Sequence, residues 1–223
     1  MVEGPSIRFY AGVPLRSSDG YNLGTLCVID TEAHHPTARQ LEQLRLIAKL
    51  AMHAIDMRYK SLLCAVTGVF TRQPFFRFGE KELDHARQRH QTLSLVNIEI
   101  DNLRTINERW GLGGVDQVLR QFSRLCQRHL QEEDLIGRIS DKGFSLLLIE
   151  RDELASMRFS HSLYDAAISM PGMYTNQHYH LQVSVGVTLL DDADQTFDDL
   201  YRRAYRALDL AKVAGSIRLA FVQ

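Results

Sequence analysis

Residues 93–119 read LSLVNIEIDNLRTINERWGLGGVDQVL. The first eight, Leu93 to Ile100, are a short apolar run broken only by Ser94, Asn97 and Glu99, which predicts a buried strand. The remaining residues predict two helices, near 102–110 and 115–130, interrupted by Gly111-Leu112-Gly113-Gly114. Those glycines come after a helix rather than a strand, so they do not form a phosphate loop.

The same alternation of strand and helix recurs on both sides. Downstream, Leu135–Ile139 and Phe144–Ile149 predict two strands around a tight turn, followed by a helix at about 152–168. LQVSVGVTLL (181–190) predicts a strand, Phe197–Ala214 a helix and Ile217–Val222 a last strand. Upstream, Pro74 stands in the first turn of a helix that runs to about His90. Thr67-Gly68 closes a longer helix before it, which opens at Pro36-Thr37 with Thr37 and Gln40 spaced as a capping box. Residues 7–15 and 21–29 flank Ser17-Ser18-Asp19-Gly20 and predict a hairpin, marginal in water without a covering surface. The fold class is therefore α/β (α+β), with helices against one mixed sheet, preceded by a β-hairpin and a long helix. Leu41, Leu44, Ala48, Ala51, Ile55, Arg58 and Leu62 alternate four and three residues apart. This seam fits two arrangements equally, a homodimer through helix 37–63 or a helix lying on its own hairpin.

Composition sets the class. The chain has 223 residues, 45% of them hydrophobic and 24% charged, which suits a medium globular domain with a smaller companion. A net charge of -1 argues against nucleic acid or an anionic membrane as partner. No apolar run reaches the roughly 18 residues of a membrane helix, and Met1–Phe9 lacks the apolar core of a signal peptide. Cys27, Cys64 and Cys126 are far apart among aliphatic residues and predict buried free thiols in a reducing cytoplasm. His178 and His180 lack a third ligand nearby and predict an exposed pair, as does His34-His35 in its loop. Asp191, Asp192 and Asp194 predict a solvated turn.

Five motifs carry a family resemblance. Cys64-Ala65-Val66-Thr67-Gly68-Val69-Phe70-Thr71-Arg72 resembles D-x-L-T-G-L-x-N-R, and residues 98–119 resemble D-x-D-x-F-K-x-x-N-D-x-x-G-H-x-x-G-D-x-x-L. Arg138 and Ser140-Asp141-Lys142-Gly143-Phe144 fall where R-x-G-G-D/E-E-F belongs; VSVGV (183–187) and ALDLAKVAGSIR (207–218) complete the order. The chain thus resembles the GGDEF family of diguanylate cyclases, which implies a nucleotidyl-cyclase palm-like mixed sheet. Residues 1–58 resemble the last hairpin and C-terminal helix of a GAF domain, too short to hold a sensor pocket. The implied organisation is a partial GAF domain at 1–58, a linker and entry motif at 59–72, and a degenerate GGDEF domain at 73–223.

The resemblance implies that a working cyclase joins two GTP molecules across a head-to-head dimer, with Mg²⁺ held by the first Asp of D-x-D and the third signature residue. Glu99 takes the first of these positions as a vestigial ligand; Lys142 takes the second, and Gly143 replaces the signature glutamate. Ser140 and Asp141 fill the two glycine positions. Lys142 is expected to reach Glu99 and form an ion pair where the metal would sit, excluding Mg²⁺ while tolerating phosphate. No cofactor is expected, with Mg²⁺ required only for residual cyclase activity. Arg104, Arg138 and Lys212 match basic phosphate contacts, although Ser216 replaces an Arg, Leu103 a Phe and Leu112 a His. Asn107 and Asp116 match the positions that read guanine; the alternatives are a helix cap and a solvated face. Gln131-Glu132-Glu133-Asp134 keeps only the Asp of the inhibitory R-x-x-D.

Three functions compete. The first is a non-catalytic GGDEF-like regulatory protein of cyclic di-GMP signalling, acting through a protein partner and guanine-nucleotide binding (GTP or cyclic di-GMP). The second is a divergent active diguanylate cyclase, which would have to replace both lost carboxylates. The third is a structural dimerisation module without ligand.

Overall fold

Phe9–Arg16 (β1) and Asn22–Asp30 (β2) pair antiparallel, from Phe9 opposite Asp30 to Leu15 opposite Gly24. At the turn, the Ser17 amide donates to Tyr21 O at 2.8 Å, and Gly20 adopts φ +88°, open to a residue without Cβ. Ser18 and Asp19 of the expected turn lie outside the described residues: the computed structural model describes 6–17, 20–170, 172–174, 177–213 and 218–222. Ala38–Lys60 (α1) comes next, and Thr37 caps it as a reciprocal capping box with Gln40. The helix ends at Lys60, so Thr67-Gly68 belongs to a separate turn in which Gly68 has φ +72°. α1 packs on β1. Ala48 and Met52 are buried and Leu41, Leu44 and Ala51 half-buried, whereas Ile55 and Arg58 are exposed. The hairpin therefore covers the N-terminal part of the heptad seam. A different apolar stripe, Ile47, Leu50, Ala54 and Met57, faces solvent within this unit. The chain divides into two compact units, 1–61 and 62–223.

The second unit begins with Phe70–Thr71 (β3), a two-residue strand with no periodicity to betray it, and Arg72–Arg89 (α2). Leu93–Ile100 (β4) is buried at every position. Leu103–His129 (α3) is two helical stretches meeting at a kink, where Gly111 has φ 65° and ψ −167°. Leu135–Arg138 (β5), Gly143–Ile149 (β6) and Glu153–Ile168 (α4) come next, with Asp152 capping α4 through the Ala155 amide. Gly172–Tyr174 (β7) and Gln177–Tyr179 (β8) form a small hairpin that the sequence did not announce. Val183–Leu189 (β9), Phe197–Val213 (α5) and Leu219–Val222 (β10) complete the unit.

The main sheet has the order β10-β9-β4-β6-β5-β3, parallel at its two outer pairs and antiparallel within. Alternation along β4 sorts its side chains between two cores. Val96, Ile98 and Ile100 join Val118, Phe122 and Leu163 of α3 and α4. Leu93 and Leu95 join Phe75 and Leu83 of α2 and Phe197, Leu200 and Ala204 of α5. Asn97 and Glu99 share the parity of the second set, so the sheet aims them toward α2 and α5. α5 lies against β9 at Gly186, where an added Cβ would meet the Leu208 backbone nitrogen at 2.1 Å. Only glycine permits that approach.

Candidate functional site

Glu99 is the second-last residue of β4, and in the β4–β6 ladder it stands opposite Gly143. The chain between β5 and β6 turns on itself, with the Ile139 amide donating to Gly143 O at 2.8 Å and the Ile100 amide to Lys142 O at 3.0 Å. These bonds hold Lys142 beside the end of β4. Its Nζ lies 2.8 Å from Glu99 Oε2, the ion pair expected from the sequence. Lys212, near the end of α5, reaches the same oxygen at 3.0 Å. This second ammonium was assigned from the sequence only as a phosphate contact; its meeting with Glu99 depends on how α5 lies across the sheet. The Glu99 side chain is 7% exposed. Burial by itself pushes its carboxyl up, but the two ammonium groups outweigh this and hold it below the ordinary carboxylate range. Burial pulls Lys212 down, and Glu99 more than restores it, raising its ammonium above the ordinary value.

Ser140 and Gly143, separate departures in the sequence, are coupled in space. A Cβ at Gly143 would lie 2.6 Å from Ser140 Oγ. The side chain gained at 140 occupies the room of the one lost at 143. Arg138 fixes the same turn from outside, donating from Nε to Ser140 O at 3.3 Å and from Nη2 to Asp141 O at 2.9 Å. Its Nη1 also lies 3.4 Å from Cys64 Sγ. Burial pushes the Cys64 thiol up, but hydrogen bonds from Thr67 and Arg138 and from the Thr67 and Val66 amides bring it down to about 7. The expectation of three buried thiols is thus corrected. Cys126 is buried, and burial pushes its thiol far up; Cys64 is half-buried and Cys27 exposed.

A cleft of about 250 Å³ opens beside Glu99, lined also by Arg72, Asn97, Ser140, Gly143, Ser145 and Tyr205 among others. Within it Ser145 Oγ donates to Asn97 Oδ1, and Arg72 lies 4.5 Å from the Phe76 ring centre and 5.1 Å from that of Tyr201. Asn107, Asp116 and Arg104 do not line this cleft. Asn107 is exposed on α3, Asp116 half-buried beyond the kink, and Arg104 pairs with Glu108 one turn along at 2.9 Å. Asp101 accepts from Ser184 at 2.8 Å and from Arg218 at 3.0 Å, partners too distant in sequence to be anticipated.

Other expectations resolve locally. Asp134, the remnant of R-x-x-D, has a fully buried carboxylate that accepts from the Gln131 and Ile149 amides and pairs with Arg151 at 2.5 Å. Its oxygens serve the fold rather than a ligand. Asp194 is corrected from solvated to structural: it is 2% exposed, accepts from the Asp191 amide and pairs with Arg203 at 3.1 Å. His178 and His180 are exposed.

The donor set does not fit Mg²⁺. The metal needs several oxygens in near-octahedral array. Here the nearest carboxylate presents its Oε2 to two ammonium groups. Among the described residues, no group of three or more acidic, histidine or cysteine side chains could hold a metal. Like charges about 4 Å apart at a protein surface repel by about 4 kcal/mol per unit pair, and a dication doubles that.

The sequence profile described as "Diguanylate cyclase, GGDEF domain" matches residues 63–218. The chain belongs to the GGDEF family. A GAF domain profile matches residues 1–55. Similar relatives of this GGDEF protein include a probable diguanylate cyclase, DgcC, of Escherichia coli, 28% identical over 174 residues, covering 76% of this chain and 46% of that protein. Another is a cyclic di-GMP phosphodiesterase of Pseudomonas aeruginosa, 28% identical over 223 residues, covering 95% of this chain and 36% of that protein. The chain thus spans less than half the length of either. Among solved structures, the coiled coil and GGDEF domain of DgcB from Caulobacter crescentus superimposes with a TM-score of 0.77 at 18% identity, covering 83% of this chain and 98% of that one. That likeness is one of fold. No helix among the described residues is long and apolar enough to cross a membrane.

Proposed function

We propose that this GGDEF protein is a non-catalytic regulatory module of cyclic di-GMP signalling, which binds guanine nucleotide and transmits its state to a protein partner. The observation that carries this reading is the double ammonium contact on Glu99 Oε2. A cyclase needs a divalent metal between the reacting phosphates; here cations of the protein stand on its remaining carboxylate, and Gly143 contributes no second one. Nucleotide binding rests on Lys212 beside Glu99 and, outside the cleft on α3, on the exposed Asn107 and half-buried Asp116 that match the family's guanine-reading positions. Partner binding rests on the fact that a site without turnover acts only through its bound state. Assembly is proposed as a homodimer through the helix at 37–63, in a cytoplasmic setting.

Incubation with GTP and Mg²⁺ or Mn²⁺, followed by chromatography, tests the central point. No cyclic di-GMP is expected above a heat-treated control. Sustained product would establish the divergent-cyclase reading instead.

A further inference from the structure

Two ammonium groups meet on Glu99 at the end of β4, beside a cleft that Glu99 and Arg72 line. Lys142 comes from the β5–β6 turn, Lys212 from α5 and Arg72 from the start of α2. Against them stand Glu99 and, beside Lys212 at 3.3 Å, the exposed Asp209. The balance around the cleft is positive. The ammonium groups are not exhausted by their pairs: each carries three N–H donors. Lys142 is ion-paired with Glu99 alone, while Lys212 is ion-paired with Glu99 and donates a hydrogen bond to Asp209. Both retain access to solvent, with side chains 49% and 27% exposed.

We propose that the Lys142–Glu99–Lys212 cluster beside this cleft is a metal-independent phosphate site, in which Lys142 and Lys212 together replace the divalent cation and hold a phosphate group directly. The inference deepens the nucleotide-binding reading and rests on it for the identity of the full ligand. Glu99 acts as the hinge of the arrangement. By pairing with both ammonium groups at one oxygen it keeps two cations side by side that would otherwise repel. A phosphate arriving at their open faces completes a charge-alternating cluster with strong, charge-assisted bonds. The cleft, at about 250 Å³, is smaller than the roughly 300–1,000 Å³ of pockets that enclose drug-sized ligands. A ligand therefore meets the two exposed ammonium groups from outside the cleft rather than being enclosed in it. Added Mg²⁺ then has an inverted role: it finds Glu99 Oε2 already faced by two ammonium groups, and it competes with the lysines for the phosphate oxygens.

Calorimetric titration of the full chain with sodium pyrophosphate and, separately, with GTP tests this, each in EDTA and in excess Mg²⁺. Pyrophosphate is expected to bind in EDTA and to bind several-fold more weakly in Mg²⁺. Lys142→Gln is expected to weaken the EDTA binding about tenfold, and Lys142→Arg, which keeps the charge, to retain most of it; circular dichroism verifies that both variants fold. Equal binding by Lys142→Gln and the parent protein overturns the site. GTP binding only with Mg²⁺ overturns metal independence while leaving the nucleotide reading intact. Pyrophosphate binding without GTP binding supports the phosphate site and sinks the nucleotide reading. Failure of both ligands under both conditions overturns the two together.

Discussion

Among single residues, Ser140 and Gly143 behave as one substitution written at two positions. Restoring the family glutamate alone places a Cβ 2.6 Å from Ser140 Oγ, closer than real contacts allow. Ser140 is exposed and its hydroxyl can rotate aside, so Gly143→Glu is expected to destabilise the protein by less than about 1 kcal/mol. Ser140→Gly combined with Gly143→Glu is expected to recover most of that loss. Thermal unfolding of the single and double variants measures the coupling, and simple additivity would show the two positions to be independent. Cys64 offers a second residue-level test, because the charge of Arg138 reaches it at 3.4 Å. With its thiol near 7, alkylation by iodoacetamide in a Cys27→Ser background is expected to rise to half its plateau near pH 7, while Cys126, fully buried, does not react. Arg138→Ala is expected to move the midpoint upward; an unchanged midpoint would assign the activation elsewhere.

Among the elements, the long helix shows what a periodic pattern leaves undecided. Leu41, Leu44, Ala48 and Ala51 satisfy a heptad, yet their common face is occupied by β1. Glutamate at Leu44 is thus expected to disrupt the hairpin–helix unit itself, lowering helical circular dichroism whatever the oligomeric state. Ile47, Leu50, Ala54 and Met57 recur three, four and three residues apart on the exposed side and supply the alternative seam. Ile47→Glu with Leu50→Glu is expected to keep the helical signal and shift light scattering from dimer to monomer. A dimer that survives both substitutions would not be held by this stripe. In the second unit, the parity of β4 and the backbone approach at Gly186 place the end of α5 where Lys212 meets Glu99.

For the molecule as a whole, the buried charge cluster sets a pH window of stability. The folded pKa of Glu99 lies below its unfolded value near 4.5, so its contribution is present above about pH 4.5 and lost as pH falls through the depressed folded value. The raised Lys212 works at the other limit. Its contribution is full below its unfolded value near 10.5 and lost as pH rises through the folded one. Glu99→Gln is expected to lower the melting temperature at pH 7 and to differ much less from the parent at pH 3. Equal differences at the two pH values would mean that Glu99 does not carry this dependence. Although the chain's net charge is only -1, Lys142 and Lys212 gather on Glu99, so binding there is expected to follow local rather than global charge.

Most of the architecture was legible in the chain order. The apolar run Leu93–Ile100, the capping box Thr37–Gln40 and Pro74 in the first turn of α2 are local signals, and each element formed where its local chemistry indicated. The residue types at the turn were equally legible, since Lys142 and Gly143 are not carboxylates in any fold. The hidden features lacked a local signal: β3 and the β7–β8 hairpin, two or three residues per strand, exist only through their pairing partners. Asp194 read as solvated until Arg203 closed on it. Which charges the site contains was settled by the order of residues alone. That Lys142 and Lys212, 70 residues apart, meet on one oxygen of Glu99 was settled only by folding. The reason is that strand register and helix packing, unlike composition, bring together residues that share no local pattern.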